Sequence, residues 1–283
     1  MCAAASGRTQ VQAGSRKISR AVRSSCGYSL GRPPAQEDRP GSIGGVSGIP
    51  LAGGAVNAVV RVGDTVRRPP GPRAVFVRDL LQLLEHRGWP GAPRYLGRDD
   101  QGREMLSYLD GQVPWWDPAS MRSDAGVVRV AEMVREFHDL TAGSTLVGGE
   151  ETVCHNDLSP KNTVYRDELP IAFIDWDIAA PGRRIHDVAH VAWQYLGLGP
   201  SVPDVDETSR RLRLICDAYG LDERDELIDT VLWWQDRCWR GIEAEAAAGN
   251  TAMRALLDQG IPAAVRVAHA WVTEHRVALA ADL

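Results

Sequence analysis

From residue 49 onward the hydrophobic rhythm of the chain shifts from mainly short alternating runs to mainly longer helical repeats. Ala58-Val59-Val60-Arg61-Val62, a Gly63-Asp64 turn and Thr65-Val66-Arg67-Arg68 ahead of Pro69-Pro70 read as a β-hairpin, because Gly-Asp between two strand-like runs suits a tight reversal. Val77, Leu80, Leu81 and Leu84 then share one face at a period of 3.6 and predict a helix over residues 75–87. After the Gly88-Trp89-Pro90-Gly91 break, residues 94–96 and 104–109 predict two strands around Asp99-Asp100-Gln101-Gly102. Beyond residue 110 the helical period dominates. Val127, Val130, Val134, Phe137 and Leu140 recur at helical spacing and place His138 beside the core. One strand pair interrupts the helices: Val153-Cys154 and residues 162–165 flank a polar loop, residues 166–170 turn, and Ile171-Ala172-Phe173-Ile174 returns as a strand. The expected class is α+β, with a small sheet and one helix over residues 46–109 and a mainly helical portion over residues 110–283.

The first 45 residues lack any such rhythm. Seven Lys or Arg stand against Glu37 and Asp38 among many Ser, Gly and Pro, so this stretch cannot bury enough apolar surface to offset its ordering entropy. Residues 1–45 are therefore expected to be a disordered or non-native extension. With 283 residues, 44% of them hydrophobic, the remainder can build a sizeable core. A net charge of -5 gives no reason to expect a nucleic-acid partner, and no apolar run approaches a membrane span. Five cysteines without a C-x-x-C pair suit reduced thiols in a cytoplasm.

The segment that carries chemistry is His155-Asn156-Asp157-Leu158-Ser159-Pro160-Lys161-Asn162, followed by Asp175 in Ile174-Asp175-Trp176-Asp177. Phosphoryl transfer needs a carboxylate to orient the attacking hydroxyl and accept its proton, and oxygen ligands that hold Mg²⁺ against nucleotide phosphates. Asp157 can serve as the first, Asn162 and Asp175 as the second. The spacing puts Asp157 and Asn162 at opposite ends of one short loop, and the hairpin returns Asp175 beside it.

These residues resemble the aminoglycoside phosphotransferase family, a small-molecule branch of the protein-kinase-like superfamily that includes choline, homoserine and macrolide kinases. The resemblance is tight over residues 153–187 and looser over the rest from residue 49. It implies a two-lobed protein-kinase-like fold, with a small five-stranded sheet and one helix over a helical lobe, and use of ATP or GTP with Mg²⁺ to phosphorylate a hydroxyl of a small molecule. It further implies Asp157 as catalytic base, Asn162 and Asp175 as metal ligands, and His155 and Asp187 as structural supports of the loop. Gly53, Gly54 and Asn57 would lie against the phosphates. Tyr108 and Leu109 resemble the hinge whose backbone meets the purine edge.

Two departures accompany the resemblance. The strand that carries a phosphate-gripping Lys in the family has Arg67 and Arg68 here; Arg67 is expected to face the cleft and Arg68 the solvent, since neighbours on a strand point oppositely. The predicted helix over residues 75–87 offers only Asp79 and Glu85 as partners for that cation. An interaction module that binds nucleotide without turnover is the competing reading. Residues 200–283, with fifteen acidic side chains against nine arginines, favour a cationic acceptor, an aminoglycoside-like amino sugar first. Trp233, Trp234 and Trp239 raise a choline-like alternative through cation–π contact, and His186 and His190, four apart, a weak metal face.

Overall fold

A computed structural model describes residues 41–43, 46–51, 59–114 and 123–283; the expectations for residues 1–40 and for Gly53, Gly54 and Asn57 lie outside the described residues. The small lobe is an antiparallel sheet of β1 (Gly41–Ile43), β2 (Val46–Pro50), β3 (Val60–Val62), β4 (Thr65–Arg68), β5 (Tyr95–Arg98) and β6 (Glu104–Ser107), in the order β1-β2-β3-β4-β6-β5. This is one strand more than expected. β1 comes from within residues 1–45, and three residues are too few for an alternation to register in the sequence. Helix α1 (Ala74–His86) buries Val77, Leu80, Leu81 and Leu84.

The large lobe contains α2 (Asp124–Thr141), α3 (Arg184–Leu196), α4 (Val205–Tyr219), α5 (Leu227–Ala247), α6 (Thr251–Asp258) and α7 (Ile261–Leu279). Two small antiparallel pairs sit at its upper face: β7 (Thr152–Cys154) with β10 (Ala180–Gly182), and β8 (Thr163–Arg166) with β9 (Leu169–Phe173). Asp167 and Glu168, at φ of 50° and 64°, make the two-residue β8–β9 turn, in which both central residues take the left-handed backbone of a tight hairpin.

One apolar core runs through both lobes. Leu80, Leu81 and Leu84 of α1 belong to the same buried cluster as Phe137, Phe173 and Trp176. Trp89, in the link from α1 to β5, lies 5.8 Å from Phe137 and 6.4 Å from both Phe173 and Trp176, ring centre to ring centre. Its indole N–H donates to Glu136 of α2 at 2.7 Å, which satisfies the one polar atom that burial of the ring would strand. The connecting strand after β6 is tied down as well, since Gln112 and Tyr165 exchange two 2.8 Å backbone hydrogen bonds. Gly111 lies so close to β8 that a Cβ there would stand 2.6 Å from the Tyr165 carbonyl oxygen.

Candidate active site

The catalytic-loop candidates are set by burial at one end and by hairpin return at the other. Trp176, 2% exposed, turns into the aromatic core, and its indole N–H donates to the Phe173 carbonyl at 3.0 Å. Flanking it, Asp175 and Asp177 are both partly exposed. Asp175 itself has φ of 64°, a conformation a non-glycine residue holds only when its surroundings impose it. The loop and this segment are stitched together: the Ile174 amide donates to the Asn162 carbonyl at 2.9 Å, and the Asn162 side-chain amide donates to the Asp157 carbonyl at 2.9 Å. That bond fixes the amide orientation of Asn162 and leaves Oδ1 as the atom presented to a cation.

His155 is fully buried and holds the loop by both ring nitrogens. Its Nδ1 accepts from the Asp157 amide at 3.3 Å, and Nε2–H donates to the Ile174 carbonyl at 3.1 Å. Burial drives its pKa down to about 4, so the ring is neutral at pH 7 and suited to support rather than proton transfer. Asp187, also fully buried, accepts from the His155 amide at 2.6 Å, the Asn156 amide at 2.8 Å and His138 Nε2 at 3.1 Å. Burial alone would raise its pKa, but the hydrogen bond and charge of His138, with the neighbouring donors, hold the carboxyl below the usual range. Asn156, at φ of 66°, reaches across with its side-chain amide to the Ile178 carbonyl at 3.2 Å.

The two arginines of β4 fall the opposite way from the sequence expectation. Arg68, 8% exposed, sends Nη2 to Asp177 at 2.6 Å and Nε to Glu104 at 3.3 Å. Arg67 instead lies 3.4 Å from Asp99, which also takes Arg103 at 2.8 Å. The cause is the β4–β6 register, which places Arg68 directly opposite Glu104 and Arg67 opposite Met105. Neither α1 acid substitutes: Asp79 pairs with Arg78 at 2.8 Å and Glu85 with Arg94 at 3.6 Å. Glu104 and Asp177 are thus the residues that the sequence reading missed. Glu104 carried a signal only in retrospect, as an acid opening a strand whose other inward residue, Leu106, is apolar.

At the connection between the lobes, the Tyr108 amide donates to the Asp64 carbonyl at 2.8 Å, and Arg61 lies 3.6 Å over the Tyr108 ring. Of the two hinge candidates, Tyr108 therefore has its amide committed within the protein, which leaves its carbonyl for any purine edge. In the large lobe Trp234 and Trp239 are buried, and the exposed Trp233 has His186 stacked 5.1 Å away and Arg237 5.3 Å over its ring, so protein groups already sit against the ring that a cation would need. His190 is fully buried with Nδ1 on the Leu158 carbonyl at 2.8 Å, which separates it from His186 and removes the metal face. Among the described residues, the His, Cys, Asp and Glu groups close enough to share an ion are His138, Cys154 and Asp187. The first and last already hydrogen-bond each other, and the Cys154 thiol, pushed up by burial, donates to the Arg183 carbonyl.

The Phosphotransferase enzyme family model matches residues 141–227, which contain the loop, the β8–β9 hairpin and Asp187. The trifolitoxin immunity protein of Rhizobium leguminosarum bv. trifolii is 31% identical over 207 residues, covering 62% of this chain and 75% of that protein. The chain belongs to the phosphotransferase enzyme family. Solved structures agree on the fold. A choline/ethanolamine kinase family protein from Mesorhizobium loti superposes with a TM-score of 0.54 at 18% identity, over 81% of this chain and 91% of that one. The aminoglycoside phosphotransferase APH(3″)-Id of Streptomyces rimosus, solved with ADP and streptomycin, gives 0.50 at 18%, over 66% and 94%. The protein is thus a phosphotransferase with an α+β, two-lobed kinase-like fold.

Proposed function

We propose that this phosphotransferase moves the γ-phosphoryl group of a Mg²⁺-bound nucleotide, ATP or GTP, to a hydroxyl of an aminoglycoside-like amino sugar. The supporting observation is the hydrogen-bonded stitching of Asp157, Asn162 and the Asp175 segment into one loop-and-hairpin unit that carries three hard-oxygen side chains. Asn162 Oδ1 and the Asp175 carboxylate fit a Mg²⁺ ion, which when bound would neutralise charge on the phosphates. Asp157 orients the acceptor hydroxyl and takes its proton as the oxygen attacks in line. His155 and Asp187 keep that carboxylate in place without exchanging protons. Arg68, the cleft-facing cation of β4, would steady the phosphates.

The acidic complement of residues 200–283 supports a cationic acceptor. Burial of Trp234 and Trp239 ranks choline behind an amino sugar, with homoserine and macrolides as the other runners-up. The relative named for trifolitoxin immunity supports a role in resistance to an antibiotic. Mg²⁺-dependent turnover of ATP and GTP, measured with a panel of aminoglycosides, amino alcohols and macrolides, tests this reading. Acceptor-dependent ADP or GDP release with an amino sugar is the expected result. Nucleotide binding with no turnover for any acceptor would favour the non-catalytic module instead.

A further inference from the structure

We infer that Glu104, on strand β6, is the positioning residue that holds Arg68 ready for nucleotide phosphate, a task the acids of helix α1 do not perform. The inference rests on the phosphotransferase reading above and names the device by which this chain sets its phosphate-gripping cation.

Arg68 and Glu104 are directly opposed across the β4–β6 ladder, so the pair is built into the sheet rather than made by flexible side chains. Both side chains are nearly enclosed, at 10% and 3% exposure. A buried carboxylate with no cation would be costly, and an arginine deprived of it would be drawn wholly to its remaining neighbour. That neighbour is Asp177, at 2.6 Å across the cleft and two residues from Asp175. The guanidinium thus has two anchors with different fates. Glu104 sits in the same sheet and moves with Arg68, whereas Asp177 belongs to the segment that faces nucleotide and metal. Phosphate can displace Asp177 from Nη2 while Nε stays on Glu104, so the planar fork keeps one fixed edge and offers the other. Without the fixed edge, the Asp177 contact would compete with phosphate for the whole group.

The test is nucleotide affinity by calorimetry on the full chain, with Mg-ATP and Mg-GTP as probes, alongside thermal melting. Glu104→Gln keeps shape and hydrogen-bonding capacity but removes the charge. It is expected to weaken Mg-nucleotide binding about 10-fold. In an Arg68→Met background the same substitution should change affinity less than twofold. Glu104→Asp, which keeps the charge but withdraws it by one methylene, should fall between wild type and Glu104→Gln and serves if the glutamine variant does not fold. Wild-type affinity in Glu104→Gln (or, if that variant is unfolded, in Glu104→Asp), or an undiminished loss in the Arg68→Met background, overturns the inference alone. Failure of the wild-type protein to bind either nucleotide overturns the phosphotransferase reading and this inference with it.

Discussion

Asp157 is only 1% exposed, yet its position is dictated by backbone bonds on both sides: its amide reaches His155 and its carbonyl takes Asn162. Asp157→Asn should therefore leave fold and nucleotide affinity in place while lowering turnover by about 10² to 10⁴-fold, the usual contribution of a positioned general base. Single-turnover kinetics with the best acceptor would check it, and near-normal rates would remove Asp157 from the role. Asp187 works differently. It collects two backbone amides and one imidazole N–H in a fully buried site, so Asp187→Ala strands three donors at once. We expect a loss of about 3 to 5 kcal/mol in denaturant unfolding, the range for breaking a buried charged network. A loss under about 1 kcal/mol would mean that water replaces the carboxylate with little penalty.

At the scale of elements, the reversal of Arg67 and Arg68 shows where sequence reading stops. Alternation says that only one of two adjacent residues faces the cleft; which one depends on the pairing of β4 with β6, and a slip of one residue exchanges them. Register is a tertiary property. Helix α1, by contrast, was legible to within a residue because four leucines and valines at helical spacing bury one face. The loop of residues 155–162 could be picked out as a candidate site because its spacing is local, whereas the partnership of Arg68 with Glu104 spans 36 positions of chain and has no local signature. The same geometry yields a ranking. Arg68→Ala should raise the Michaelis constant for nucleotide and lower turnover, while Arg67→Ala should leave nucleotide kinetics within about twofold and cost stability through loss of its ion pair with Asp99. Steady-state kinetics of the two variants decides it, and equal effects would break the assignment of the cleft face.

For the whole molecule, the aromatic cluster shared by the lobes and the buried histidines beneath the catalytic loop tie stability to pH. His155 and His190 are both enclosed, and burial drives each pKa from 6.5 down to about 4. For His190 the surroundings are the Trp193 and Trp234 rings, 5.5 and 5.0 Å away, and the Leu158 carbonyl. In the unfolded chain these rings take up protons as pH falls through 6.5, whereas the folded chain resists until about 4. The unfolded state thus binds more protons across that window, so stability falls as pH is lowered through it and is fully present above pH 6.5. Each ring is worth on the order of 3 kcal/mol across the window. Glu104 and Asp177 act in the opposite sense, because burial raises their pKa values and lets the folded state protonate first. Their effect is the smaller one: Arg68 counters the burial of both, and Asp177 remains partly exposed, while each histidine is wholly enclosed. The melting temperature should accordingly be flat from pH 8 to 7 and drop by more than about 10 °C between pH 6.5 and 4.5. A melting temperature unchanged across that interval would show that the rings are hydrated or that they titrate alike in both states.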